Sequence, residues 1–210
     1  AVVGRLLAER FGLPMWQVTA TASDANRAVL RWCRAITGRK KILIFNGCYH
    51  GAVDETFVTL ADGKEIADPA LIGEPRDITQ FTKVVEFNDL PALEAALSPG
   101  DVACVLAEPL MTNIGMVLPD EGFHDALRQI TRRIGTLLVM DETHCMSSGP
   151  GGYSGAHGLQ PDAIVLGKPI AGGVPAAVYG FSEETSSRIA QYLEHRGPGR
   201  SGIGTTLSGS

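Results

Sequence analysis

Two apolar strand patterns, each closed by an ionisable residue, constrain this chain most. Residues 163–166 (Ala-Ile-Val-Leu) run into Gly167-Lys168-Pro169, and residues 136–141 (Thr-Leu-Leu-Val-Met-Asp) end on Asp141. Four to six apolar residues bounded by polar or glycine punctuation read as strands buried on both faces. Around them the periodicity alternates. Helical spacing is expected over 1–11, over 24–37 with Gly38 as C-cap, over 91–97 with Pro in the first turn, over 120–134 ending at Gly135, and over 182–195. Strand patterns occupy 41–45, 84–87, 102–107 and 177–181, and the polar stretch 52–80 is read as a long loop over a site. Alternation of this kind predicts an α/β fold with a mostly parallel sheet covered on both faces. In such sheets ligands gather beyond the carboxyl ends of strands, where Glu108, Asp141 and Lys168 all fall.

Composition narrows the function classes. The chain has 210 residues, enough for one domain with a substantial core, and a formal net charge of −5. No basic stripe is present to bind nucleic acid. No apolar run reaches the roughly 18–20 residues of a membrane span. The four cysteines (Cys33, Cys48, Cys104 and Cys145) form no CxxC pair and read as reduced thiols of a cytosolic protein. Cys145 beside His144 suggests a Cys–His nucleophile, but neighbours on a strand point to opposite faces. No metal-ligand set accompanies Asp141, His144 being the only near candidate.

An aspartate and a lysine at strand ends of one α/β chain fit a pyridoxal phosphate (PLP) site. The Lys168 amine is suited to a Schiff base, and the Asp141 carboxylate to a protonated pyridine nitrogen. Thr21-Ala22-Ser23-Asp24 precedes the first long helix, where free N–H groups and hydroxyls suit a phosphate; Ser23 or Asp24 acting only as an N-cap is the plainer alternative. Tyr49 in Gly47-Cys48-Tyr49-His50-Gly51 suits stacking on a planar ring, against the alternative of a packed turn. His50 is either a base or a histidine held by turn hydrogen bonds. Asn113 offers an amide to a cofactor oxygen, and Glu108 either orients the site or anchors its loop.

In combination these segments resemble the class III (ω-type) PLP-dependent aminotransferases, nearest in look to glutamate-1-semialdehyde aminomutase-like members. The resemblance runs from about Val18 to Ser210. It rests on Ala20–Ala25, on Thr37-Gly38-Arg39 closing the helix, on the Gly-x-Tyr-His-Gly pattern at 47–51 and on Glu108-Pro109 with Asn113-x-Gly115. Asp141-Glu142, Gly167-Lys168 and Thr205-Thr206-Leu207-Ser208-Gly209 complete it. It implies a type I PLP-enzyme large domain over 1–210, without the family's N-terminal segment and C-terminal small domain. It further implies a homodimer with shared active sites acting on a small-molecule amino donor and carbonyl acceptor. Lys168 would be the Schiff-base residue, Asp141 the ring-nitrogen partner and Tyr49 the stacking ring. Thr21, Ala22 and Ser23 would hold the phosphate, with Thr206 reaching that of the partner subunit; Asn113 would meet the ring hydroxyl, and Thr143 would lie against the ring. Three residues depart from the pattern. Ala22 replaces a glycine, Thr143 an apolar Val or Ile, and Pro169 stiffens the lysine loop. The expected activity is amino-group transfer between substrates. The alternatives are an intramolecular aminomutase and a non-catalytic protein of the same fold.

Overall fold

The structure is a computed structural model describing residues 2–74, 76–196 and Ile203. Six helices and nine strands follow in order: α1 (Val2–Phe11), β1 (Met15–Thr19), α2 (Ala22–Thr37), β2 (Lys41–Phe45), β3 (Val58–Ala61), β4 (Lys64–Ala67), β5 (Thr82–Val85), α3 (Leu90–Leu97), β6 (Val102–Ala107), α4 (Phe123–Ile134), β7 (Leu137–Asp141), α5 (Gly152–Ala156), β8 (Ala163–Leu166), β9 (Ala177–Phe181) and α6 (Glu183–Arg196). Seven strands form one sheet in the order β1-β9-β8-β7-β6-β2-β5. Strands β5, β2, β6, β7 and β8 run parallel, while β9 and β1 add antiparallel pairings at one end.

The strands alternate their side chains between two cores. Ile42, Ile44, Cys104, Leu106, Val139 and Val165 pack toward α2 through Ala25, Val29 and Cys33. Leu43, Phe45, Val105, Leu138, Met140, Ile164 and Leu166 face Leu93, Leu97, Phe123, Leu127 and Ile130 on the other side. Each fully buried Leu, Ile or Phe contributes about 1.5–3 kcal/mol, so this double burial is what fixes the strand ends in space.

The local signals explain the boundaries. Thr21 caps α2, its Oγ1 accepting from Asp24 N at 3.1 Å, and Gly38 ends the helix in the left-handed conformation at φ 69°. Asp89 caps α3 and Gly135 closes α4. Three expectations needed correction. The 52–80 stretch is not one loop: it holds the β3–β4 hairpin, turned by Asp62-Gly63 at φ 51° and 72°, a left-handed pair that suits Asp-Gly, and short 3-10 turns at Asp54–Thr56 and Ile78–Phe81. Strand β1 and helix α5 were not expected. The fourth helix starts at Phe123 rather than 120, because Gly122 at φ 78° forms its cap.

Candidate active site

The site lies beyond the carboxyl ends of β2, β6, β7 and β8, closed by the N-terminus of α2. A cavity of about 400 Å³ there is lined by Thr21, Ala22, Ser23, Tyr49, His50, Glu108, Asp141, Thr143, His144 and Lys168, with Gly173–Ala176 at its rim. That volume falls in the range of small-molecule and cofactor sites.

Asp141 ends β7 and is 4% exposed. Its Oδ2 accepts from Asn26 Nδ2 at 2.8 Å and from His50 Nδ1 at 2.9 Å; its Oδ1 accepts from Thr143 N at 3.1 Å and Thr143 Oγ1 at 2.6 Å. Burial pushes this carboxyl up, yet the His50 hydrogen bond and charge, with those of Thr143 and Asn26, outweigh it and hold the acid below its usual range. His50 is fully buried. Burial opposes its charge, but the Cys48 sulfur and the Asp141 carboxylate raise it well above the ordinary imidazole value. The result is an ionised carboxylate facing a cavity, held from behind by a histidine. Asn26 ties the group to the chain that bears it, because its amide also donates to His50 O at 3.0 Å. All four acceptor positions of Asp141 are engaged, and the Thr143 hydroxyl is the donor free to rotate away from an incoming N–H.

Lys168 follows β8. It is exposed, sits at φ 46° and makes no hydrogen bond or ion pair among the described residues. A non-glycine residue in that region costs about 1–3 kcal/mol and marks sites where geometry is imposed by function. Gly167 explains how it comes so close: a Cβ there would lie 2.7 Å from Ala22 Cβ and 3.3 Å from Thr143 Cγ2. The lysine loop, the α2 N-terminus and Thr143 therefore meet only over a glycine.

At the α2 end, Thr21 Oγ1 is used in capping, and Ser23 Oγ accepts from Ala52 N at 2.9 Å while keeping its proton for another acceptor. Gly51 packs on Ser23, where a Cβ would meet Oγ at 2.2 Å. This contact fixes the Tyr49 loop against the helix start. Tyr49 is 49% exposed at the cavity wall, edge-on to Phe57 at 6.5 Å.

The sequence candidates Thr21, Ala22, Ser23, Tyr49, His50, Asp141, Thr143 and Lys168 all come together. Asn113 does not line the cavity. Its amide donates to Gly47 O at 3.3 Å, two residues before Tyr49. Thr206 lies outside the described residues. Sequence reasoning gave no role to Asn26, although a polar side chain on the buried stripe of an amphipathic helix was a visible signal. Thr112, linking Glu108 to His144, was also missed.

The donor set suits PLP: an amine for its aldehyde, a carboxylate for its ring nitrogen, an aromatic wall, and hydroxyls with free N–H groups at a helix start for its phosphate. No group of three or more metal-ligating side chains occurs among the described residues.

Comparison with known proteins agrees. The family model for class-III aminotransferases matches residues 3–209. A glutamate-1-semialdehyde 2,1-aminomutase of Syntrophomonas wolfei is 39% identical over 178 residues, 81% of this chain and 40% of that protein. The crystal structure of a glutamate-1-semialdehyde aminomutase from Pseudomonas aeruginosa superposes with a TM-score of 0.94 at 54% identity, covering 99% of this chain and 47% of that one. A lysine-to-alanine variant of that enzyme was solved with PMP. An ω-transaminase of Sphaerobacter thermophilus is 32% identical with a TM-score of 0.82, over 88% of this chain and 44% of its own. The chain thus spans less than half the length of these relatives. It belongs to the class-III aminotransferase family, whose enzymes depend on PLP.

Proposed function

We propose that this chain forms the cofactor-binding part of an intramolecular aminomutase acting on glutamate-1-semialdehyde or a close analogue. The likeness to P. aeruginosa aminomutase, 54% identical over nearly the whole chain, carries this reading over the between-substrate transfer expected from the sequence. The S. wolfei relative bears the same name.

PLP, when bound, supplies a ring that takes up the electrons released as a substrate C–H bond breaks. The chain's residues do the rest. Asp141 would hold a negative charge opposite the ring nitrogen, and His50 and Asn26 prevent that carboxylate from turning. Lys168 Nζ would anchor the group covalently and would serve as the amine that moves a proton at the substrate carbon. Ser23 Oγ and the first N–H groups of α2 would hold the phosphate, and Tyr49 would lie against the ring. A homodimer belongs to the same proposal.

Full-length protein given glutamate-1-semialdehyde alone should move the amino group from carbon 2 to carbon 1, with no added amine and no keto acid released. Stoichiometric keto acid from an added amino donor, with no isomerisation, would overturn it. That second outcome is transamination, which the likeness to the S. thermophilus ω-transaminase favours.

A further inference from the structure

The cavity contains a second imidazole, His144, that the chemistry above does not use. It is 39% exposed at the side chain and its Nδ1 lies 2.6 Å from Thr112 Oγ1. Thr112 in turn contacts Glu108, a carboxylate 3% exposed whose Oε2 also receives Thr112 N at 3.2 Å; the hydroxyl–carboxylate contact is very short. Reciprocal hydrogen bonds between Met111 and Val117, each 3.0 Å, hold the base of this loop, so Thr112 is not free to swing away.

The protons in this chain can be counted. Thr112 has one hydroxyl proton and two neighbours that want it. As a carboxylate Glu108 is acceptor-only, and its Oε2 takes both the backbone N–H and the hydroxyl of Thr112. The hydroxyl proton therefore goes to Glu108, and Thr112 Oγ1 is left to accept. The contact with His144 can then be made only if Nδ1 carries the hydrogen. A neutral imidazole protonated at Nδ1 has a bare lone pair at Nε2, and Nε2 makes no hydrogen bond among the described residues, on a ring that lines the cavity. Glu108 Oε2 lies 3.8 Å from His144 Nδ1.

We propose that Glu108 and Thr112 are positioning residues that lock His144 as the Nδ1–H tautomer, presenting Nε2 as the acceptor for a hydrogen-bond donor on the bound ligand. This rests on the reading of the cavity as the PLP and substrate site. Two ligand groups meet the requirement, a hydroxyl of the cofactor ring and an amine of the substrate; the shared chemistry is a donor within reach of an imidazole lone pair.

The test uses full-length protein labelled with ¹⁵N-histidine, read by long-range ¹H–¹⁵N correlation at a pH where His144 is neutral. His144 assigned as Nδ1–H with a bare Nε2 is expected. Thr112→Val should move the proton to Nε2, and Thr112→Ser should restore the native pattern. His144 found as Nε2–H in the native protein, or a pattern unchanged in Thr112→Val, overturns the lock. PLP and then an amine donor are added in turn. An Nε2 resonance that moves with PLP alone assigns the donor to the cofactor, and one that moves only with the amine assigns it to the substrate. A resonance that stays still through both, while the cofactor's visible band forms, overturns the ligand-facing role. If no band forms at all, the PLP reading itself has failed, and the tautomer result still decides the lock. Thr112→Val should also lower kcat/KM about tenfold, with Thr112→Ser near native.

Discussion

Two histidines lie against the same cavity, and each is tied through Nδ1 to an acid at the end of a parallel strand. His50 meets Asp141 directly at 2.9 Å, and both are buried. His144 meets Glu108 through the Thr112 hydroxyl, and its ring remains open to the cavity. The parts are nearly the same, but burial separates their work. In the first pair the low-dielectric surroundings keep both charges in place, so His50 acts as a fixed counter-charge behind the carboxylate that faces the ligand. In the second the carboxylate is behind and the imidazole is in front. The ligand-facing group is an acid in one case and a base in the other.

The strongest way to break this comparison is to neutralise each acid in turn. Asp141→Asn should cut activity of the full-length enzyme by several orders of magnitude, because the group proposed to face the ring nitrogen loses its charge. Glu108→Gln should cost only about tenfold, because it acts through another residue. Steady-state kinetics of the two variants decide it. Equal losses would mean that the two acids share one role.

A smaller but still large effect is expected at Gly167. The added methyl of Gly167→Ala would sit 2.7 Å from Ala22 Cβ, and neither the lysine loop nor the α2 start can retreat without disturbing the cavity. Overpacking of this kind costs about 1–3 kcal/mol. PLP affinity measured by absorbance titration should fall about tenfold or more, from the same energy. Native affinity in that variant would show that the approach between loop and helix is not needed.

The His50 pair is sharpened by the pH dependence of stability. A free imidazole titrates near about 6.5, and His50 in the fold holds its proton more tightly. The pair's stabilisation is therefore full below about 6.5 and is lost as pH rises through the raised folded value. Asp141, held low, works in the opposite sense: its contribution is present above about 3.9 and is lost as pH falls through its folded value. His50→Gln should lower the unfolding free energy by about 1–3 kcal/mol at pH 6 and flatten the decline above it. Denaturant midpoints at pH 6 and pH 8.5 test this. Parallel profiles for the two proteins would remove His50 as a charged partner.

Much of this arrangement was legible before any coordinates. The strands carrying Asp141 and Lys168 are continuous apolar runs, and a residue that closes such a run has little choice of position. The cap at Thr21, the stop at Gly38 and the Tyr49 loop are likewise local signals. What stayed hidden is what depends on pairing across distance. Asn26 and Asp141 are brought together only once α2 lies on the sheet, and Thr112 reaches His144 from a loop beyond a different strand. Strand β1 was missed because it is an edge strand whose pattern of burial (Met15 exposed, Thr19 buried) mixes both faces, and its partner is β9 at the far end of the chain. The β3–β4 hairpin was missed although Asp62-Gly63 announced it, because the surrounding residues are mostly exposed and carry no clean alternation.

Asn113 gives the smallest expected effect and the finest test of how far a motif can be carried over. Its position in the Glu108–Gly115 segment matched the family pattern, which implied contact with the cofactor ring. Here its amide reaches Gly47 O at 3.3 Å, a long bond on an exposed side chain, and the residue does not line the cavity. A neutral hydrogen bond of that kind contributes about 0.5–1.5 kcal/mol at most, and less where water competes for it. Asn113→Ala should therefore leave kcat/KM and PLP affinity within about threefold, a change smaller than that bond's full strength. The residue's work would be to keep the Tyr49 loop against the 112–118 loop, where Ile114 also packs on Gly47. A loss of a hundredfold in cofactor affinity would mean that the loop closes over the ring when PLP binds and that Asn113 then makes the contact its motif implies. The two histidines would in that case be joined by a third group acting on the ligand, and the division between a fixed wall at Asp141 and a responsive one at His144 would have to be redrawn around the 112–118 loop.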